Sequence, residues 1–208
     1  MILSAQSIRA RCETDTPMIS PFVAEKKVIG GKSYGLSACS YDVRIAHDIA
    51  LLAVKKRVGG GIAYDADGNM IETDDGKRHY ALAHTIEDFH MPDDVCGTVV
   101  DKSSFARVFV SAFNTLIDPG FIGNLTLELV NLSNEPVFIE EGSPICQIMF
   151  HQLDQPTERP YKGKYMHQTK APHPARYEEA PTPQLTQQPA WASFTKEQLR
   201  QCANRETD

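Results

Sequence analysis

The chain has 208 residues, 41% of them hydrophobic, enough for one domain with a proper core. Its formal net charge of −6 and the lack of a basic stripe exclude a general nucleic-acid binder, so an anionic ligand would have to be held by a local cluster. Five scattered cysteines with no C-x-x-C pair, and no apolar run long enough to span a membrane or form a signal peptide, indicate a cytoplasmic protein with reduced thiols and no membrane partner.

Taken in chain order, Ser4 is a predicted N-cap for a short helix over Ala5–Ala10. Residues 14 to 38 are punctuated by Pro and Gly and read as irregular. Cys39–Ile45 alternates like a strand. Ile49–Val54 and Tyr80–Ala83 are strand-like, and the D-G dipeptides between them predict a hairpin excursion over 55 to 79. Gly59-Gly60-Gly61 lacks the Lys-Ser pair and the helix of a phosphate loop. Asp65, Asp67 and Asn69 imitate a calcium loop only faintly and read as a turn. The Pro92-Asp93-Asp94 turn feeds a strand over Val95–Val100, which delivers Asp101, Lys102 and Ser103. Ser104–Phe109 is the helical candidate in this region, with Ser103 at its N-terminus, where backbone N–H groups add to anion binding. Short strands and turns continue to about residue 153, which indicates an all-β sandwich or barrel with a few short helices. The β domain is expected over residues 1–177. Residues 178–208 form a tail, with a Pro/Gln-rich linker at Pro181–Pro189 and a capping-box pattern at Thr195–Gln198 that could start a short helix.

Three features carry chemistry. Lys102-Ser103-Ser104-Phe105-Ala106-Arg107 packs two cations and two hydroxyls into one run, which suits anionic oxygen. Ile117-Asp118-Pro119-Gly120-Phe121 is a turn. Leu125-Thr126-Leu127-Glu128-Leu129-Val130 then puts a carboxylate inside an apolar strand, with Thr126, Glu128 and Val130 on one face. Such a glutamate is usually on a solvent face. If it is buried, desolvation raises its pKa toward the range of a general base. Together these features suggest a phosphorylated small molecule whose other end undergoes proton transfer.

The joint pattern D-K-S-S-F-A-R, I-D-P-G-F-x-G, T-L-E-L-x-N, E-G-S-P-I-C-Q-I-M-F and R-P-Y-x-G-K-Y-x-x-Q resembles the dCTP deaminase branch of the dUTPase superfamily, over roughly residues 1 to 177. The resemblance implies a dUTPase-like distorted jelly roll or β-barrel. It also implies hydrolytic deamination of dCTP to dUTP and ammonia, in a homotrimer with sites at subunit interfaces. By the same resemblance Glu128 is the proton shuttle, and Ser103 and Arg107 position water and phosphates and stabilise charge near it. Lys102 and Ser104 are implied triphosphate contacts, with Phe105 and Ala106 in the same substrate-binding run. Asp118 is implied at the deoxyribose 3′-hydroxyl, and Thr126 and Leu127 at the base through their backbone. Gln147, Tyr161, Lys164 and Gln168 are the remaining implied nucleotide contacts. Tyr161, Lys164 and Gln168 lie on a C-terminal segment expected to order over the phosphates, because its composition offers little apolar surface to bury. Magnesium is expected to arrive on the triphosphate, without a protein cage. Zinc is not expected: none of the seven histidines has Glu two positions later, and no P-C-x-x-C run is present. The resemblance also implies feedback by dTTP.

The sequence departs from the family in two places. Asp101-Lys102 stands where Gly-Arg is usual, and Val108–Ile117 is a little shorter, with Asn114 or Thr115 where a small residue or a histidine is typical. Three other readings stand beside the first: a bifunctional enzyme that carries dUTP on to dUMP, because Asp118 matches the carboxylate used by phosphatase relatives, a plain dUTP diphosphatase, and a non-catalytic nucleotide-sensing trimer, which the shorter segment supports.

Overall fold

The structure, a computed structural model, describes residues 1–51, 80–113, 115–133, 135–168, 171–173 and 176. The predicted hairpin at 55 to 79, its calcium-like turn and the tail from 178 lie outside the described residues. Met1–Ala175 forms one compact unit. No helix among the described residues is long and apolar enough to cross a membrane.

Helix α1 is Ala5–Cys12, and the Ser4 hydroxyl caps it by accepting from the Ser7 N–H at 3.4 Å. Ile8 and Cys12 bury its inner face. The segment expected to be irregular holds three short strands: β1 (Ile19–Ser20), β2 (Lys27–Ile29) and β3 (Lys32–Leu36). The last two form a hairpin through Gly30 and Gly31, which adopt φ of 54° and 74°. Such values favour glycine. Next come β4 (Tyr41–Arg44), β5 (Ile49–Leu51), β6 (Tyr80–His90) and β7 (Val95–Asp101). A single turn, α2 (Ser103–Ala106), leads to β8 (Val110–Ala112) and β9 (Leu116–Ile117). The chain continues with β10 (Ile122–Asn131), β11 (Val137–Ile139) and β12 (Pro144–Gln152). The expected all-β class, with few short helices, is the class observed.

One sheet has the order β2-β3-β4-β12-β7-β9, a second β1-β6-β10-β8, and β5 pairs with β11. Residues of both larger sheets meet in one core, including Val43, Ile148 and Phe150 from the first and Phe89, Leu127 and Leu129 from the second. On β10 the alternation runs Leu125, Leu127 and Leu129 inward, with Thr126 and Glu128 outward. That is the period of two that a strand buried on one face imposes.

A bulge sets which β6 residues face β10. Asn124 pairs with Asp88 and Thr126 with His84, so Leu125 alone faces Thr85, Ile86 and Glu87. Side chains satisfy the irregular backbone there. Asn124 Nδ2 donates to the carbonyls of Thr85 and Glu87 at 3.1 and 3.2 Å. The Leu125 N–H donates to Thr85 Oγ1 at 3.0 Å. The Glu87 carboxylate, fully buried, accepts from Arg44 Nε at 2.7 Å and from the Arg44 backbone N–H at 2.9 Å. This pair ties β4 to the bulge. Removing one partner of such a pair strands the other charge and costs about 3–5 kcal/mol. Glu87→Ala should therefore lower the unfolding free energy by about 3–5 kcal/mol, read as a reduced denaturant midpoint. An unchanged midpoint would show that the pair does not hold the bulge.

Candidate active site

Glu128 lies on the outward face of β10, in the wall of a cavity of about 400 Å³. The bulge brings Leu82 directly across from it on β6. On the other side, the Phe113 N–H donates to the Glu128 carbonyl at 3.0 Å. Tyr80, two pairs further along β6, tilts against the Phe113 ring at 6.2 Å between centroids. The Glu128 Oε2 is buried and has no hydrogen-bond partner. Burial raises the Glu128 pKa, with only its own backbone N–H opposing. A desolvated carboxylate held this way is ready to take a proton.

His84 adds no cation beside Thr126. His84 stands across from Thr126, with its ring 5.0 Å from that of His47. Burial lowers the His84 pKa, and the charges of His47 and His173 push the same way. His84 is therefore neutral at neutral pH.

Thr126, Asp118, Tyr161 and Gln168 line the same cavity as Glu128. Leu127 turns its side chain into the core at 2% exposure, leaving only its backbone toward the cavity side. The segment carrying Tyr161 and Gln168 lies along the start of β10. Its Tyr161 and His167 N–H groups donate to the carbonyls of Pro119 and Ile122 at 2.8 and 2.7 Å, and it accepts from the Asn124 N–H at the Gln168 carbonyl at 3.1 Å. Thr126 Oγ1 donates to Gln168 Oε1 at 2.7 Å. Tyr161 packs on Phe121 at 5.9 Å between centroids. Composition pointed to a segment with little to bury; main-chain hydrogen bonds and two tyrosines supply what it lacks. Two glycines make room for it. A Cβ on Gly123 (φ 135°) would lie 2.7 Å from the Gln168 nitrogen, and one on Gly120 (φ 81°) 2.6 Å from Pro160 Cβ.

The cationic run lies elsewhere in the chain: none of the residues from Lys102 to Arg107 lines this cavity. Lys102 corrects the expectation of a free phosphate contact. Its Nζ sits 2.8 Å from Asp42 Oδ2, with side-chain exposures of 6% and 0%. The sequence counted its charge but did not show that a carboxylate from β4 neutralises it. Phe105 is a core residue at 4% exposure, not a surface contact. The helix expected over Ser104–Phe109 is the single turn α2, and the N–H groups of Phe105 and Ala106 both return to the Lys102 carbonyl, so they are not presented to an anion. Asp101 is also a tie, accepting from Ser111 Oγ and the Ala112 N–H at 2.8 Å each. Ser103, Ala106 and Arg107 remain exposed, and Ser104 Oγ is buried without a partner. Gln147 on β12 stands in register with Asp42 and Val100. Lys164 is exposed, with its Nζ 5.4 Å from the Tyr165 ring centre. Sequence reasoning missed Tyr80, Leu82 and His173 in the cavity wall. The alternation at 80, 82 and 84 was a readable signal for the first two.

The family model for dCTP deaminase-like proteins matches residues 2–153. The chain belongs to the dCTP deaminase-like family. A dCTP deaminase from Campylobacter hominis is 35% identical over 162 residues, 73% of this chain and 84% of that protein. One from Thermococcus gammatolerans is 37% identical over 148 residues, 71% of this chain and 83% of that protein. Among solved structures, the 2′-deoxycytidine 5′-triphosphate deaminase from Agrobacterium tumefaciens is 18% identical, with a TM-score of 0.48 over 73% of this chain and 47% of that one. The family match covers both the cationic run and the β10 carboxylate.

The apolar neighbour of Glu128 gives a pH prediction. A glutamate whose pKa is raised is deprotonated only above that raised value, so a reaction needing the carboxylate fades as pH falls through it. Leu82→Asn would hydrate Glu128 and lower its pKa, moving the acid limb of kcat/KM to lower pH. Leu82→Met should leave the limb in place. An Asn variant with the wild-type limb would remove Leu82 from the control of Glu128.

Proposed function

We propose that the protein deaminates dCTP by hydrolysis to dUTP and ammonia, with Glu128 as proton shuttle. The observation that carries this reading is the unpartnered, desolvated Glu128 carboxylate in the wall of a cavity of about 400 Å³. Glu128 takes a proton from water as its oxygen bonds to C4, and delivers it to N3. It then carries the hydroxyl proton to the exocyclic nitrogen; the C4–N bond breaks, ammonia leaves and the C4 carbonyl forms. One buried carboxylate suffices for these transfers. Asp118 and the backbone of Thr126 and Leu127 serve the sugar and base, and Tyr161, Lys164, Gln168 and Gln147 the rest of the nucleotide. Magnesium is part of the substrate, bound to its phosphates.

The active assembly in this proposal is a homotrimer in which Ser103, Ser104 and Arg107 of one copy complete the cavity of another. Two features support it. Those residues are absent from the wall that holds Glu128. Val108, Phe109, Phe113 and Leu116, with exposures of 48, 64, 52 and 62%, leave apolar side chains uncovered in a single copy. Such a surface is the kind a closed homo-oligomer covers.

Incubating the full-length protein with dCTP, dCMP and dUTP in turn, in magnesium, tests the reading by chromatography of all nucleotides. The expected result is dUTP and ammonia from dCTP, unaffected by a zinc-specific chelator. Accumulation of dUMP from dCTP would make the enzyme bifunctional. No deaminated product from any cytosine nucleotide would exclude the proposed activity.

A further inference from the structure

With Lys102 neutralised by Asp42, the run that should grip a polyphosphate retains one free guanidinium, Arg107. The β2–β3 hairpin brings another cation to the same place. Lys32 is the first residue of β3, immediately after the Gly30-Gly31 turn. Its Nζ sits 4.8 Å above the centre of the Phe105 ring, in the middle of α2. The next residue, Ser33, directs its hydroxyl toward Asp42 Oδ2 at 3.5 Å, so the hairpin touches both the ion pair and the helical turn. Among the described residues no carboxylate pairs with Lys32 or with Arg107.

We propose that Lys32 is a polyphosphate-binding residue, supplying beside Arg107 and the Ser103 and Ser104 hydroxyls the cation that Lys102 gives up to Asp42. The inference rests on the nucleotide reading and deepens it, by assigning phosphate recognition to a residue outside the motif. The physical case is one of net charge and preorganisation. An ammonium paired with a buried carboxylate contributes little field outside the pair. An ammonium over an aromatic face is held by a neutral partner and keeps its whole charge. Holding the four-carbon side chain on Phe105 also removes part of the entropy that a free lysine would lose on binding. Phe105 then acts as a positioning residue: buried itself, it sets where the ammonium stands. The buried, unpartnered Ser104 Oγ is a further polar group in the same turn.

The test uses the full-length protein and its Lys32→Gln and Lys32→Arg variants, with melting temperatures confirming that each is folded. Binding of inorganic tripolyphosphate is measured by calorimetry, and kcat/KM is measured for dCTP and dCMP. The expected result is that Lys32→Gln weakens tripolyphosphate binding about tenfold to a hundredfold, the scale of one charge-assisted hydrogen bond. It should lower kcat/KM for dCTP by a similar factor, change dCMP far less, and be largely rescued by arginine. Wild-type affinity in Lys32→Gln would overturn the proposal, as would equal losses for dCTP and dCMP, which would make Lys32 a packing residue. Lys32-dependent tripolyphosphate binding by a wild-type protein that deaminates no cytosine nucleotide would leave the phosphate site standing and remove the deaminase reading.

Discussion

Everything at the candidate site depends on the pairing of β10 with β6 across a bulge. A carboxylate in an apolar wall is costly unless it is paired, and Glu128 has no partner for Oε2. It is kept there because the strand cannot slip. A one-residue shift would turn Leu125, Leu127 and Leu129 out of the core. The bulge places three β6 residues against Leu125 and pins them with Asn124, Thr85 and the Arg44–Glu87 pair. Past it, Leu82 faces Glu128 and His84 faces Thr126. The fold thus holds the glutamate in a state that water would relieve, and that is the state proton transfer requires.

The same chain treats its positive charge in two ways. Lys102 is buried with Asp42 and ties α2 to β4. Asp101 ties the start of the same turn to β8. With its start fixed at two points, α2 leaves Ser103 and Arg107 exposed. Buried ion pairs are weak contributors to stability but good at fixing one geometry over another. Here the fixed geometry is that of the surface that would meet phosphate. The departure from Gly-Arg to Asp-Lys, seen in the sequence as a loss of the guanidinium fork, is in the structure a pair of internal ties.

The sequence carried Glu128 plainly, because one charge interrupts an apolar alternation and so marks both the strand and the anomaly. The I-D-P-G-F-I-G run was equally readable as a turn. That its two glycines exist to let residues 160–168 lie against β10 was not, since main-chain hydrogen bonds leave no trace in composition. Lys102 was misjudged because its partner is 60 positions away, beyond any local pattern. The three strands between residues 14 and 38 are too short for periodicity to show, although the Gly30-Gly31 turn between Val28-Ile29 and Lys32-Ser33 carried the hairpin signal. The β6 bulge has no sequence period at all. It follows from side chains on two strands meeting correctly.

The most direct measurement is made on Glu128→Gln. Glutamine keeps the size and nearly the shape of the side chain but cannot accept and return a proton. The variant should bind dCTP with near wild-type affinity in an equilibrium measurement. In a single-turnover reaction it should form dUTP at least about 10²–10⁴-fold more slowly, the usual contribution of a general acid–base group. Deamination at close to the wild-type rate by a folded Glu128→Gln protein would contradict the assignment of proton transfer to this residue.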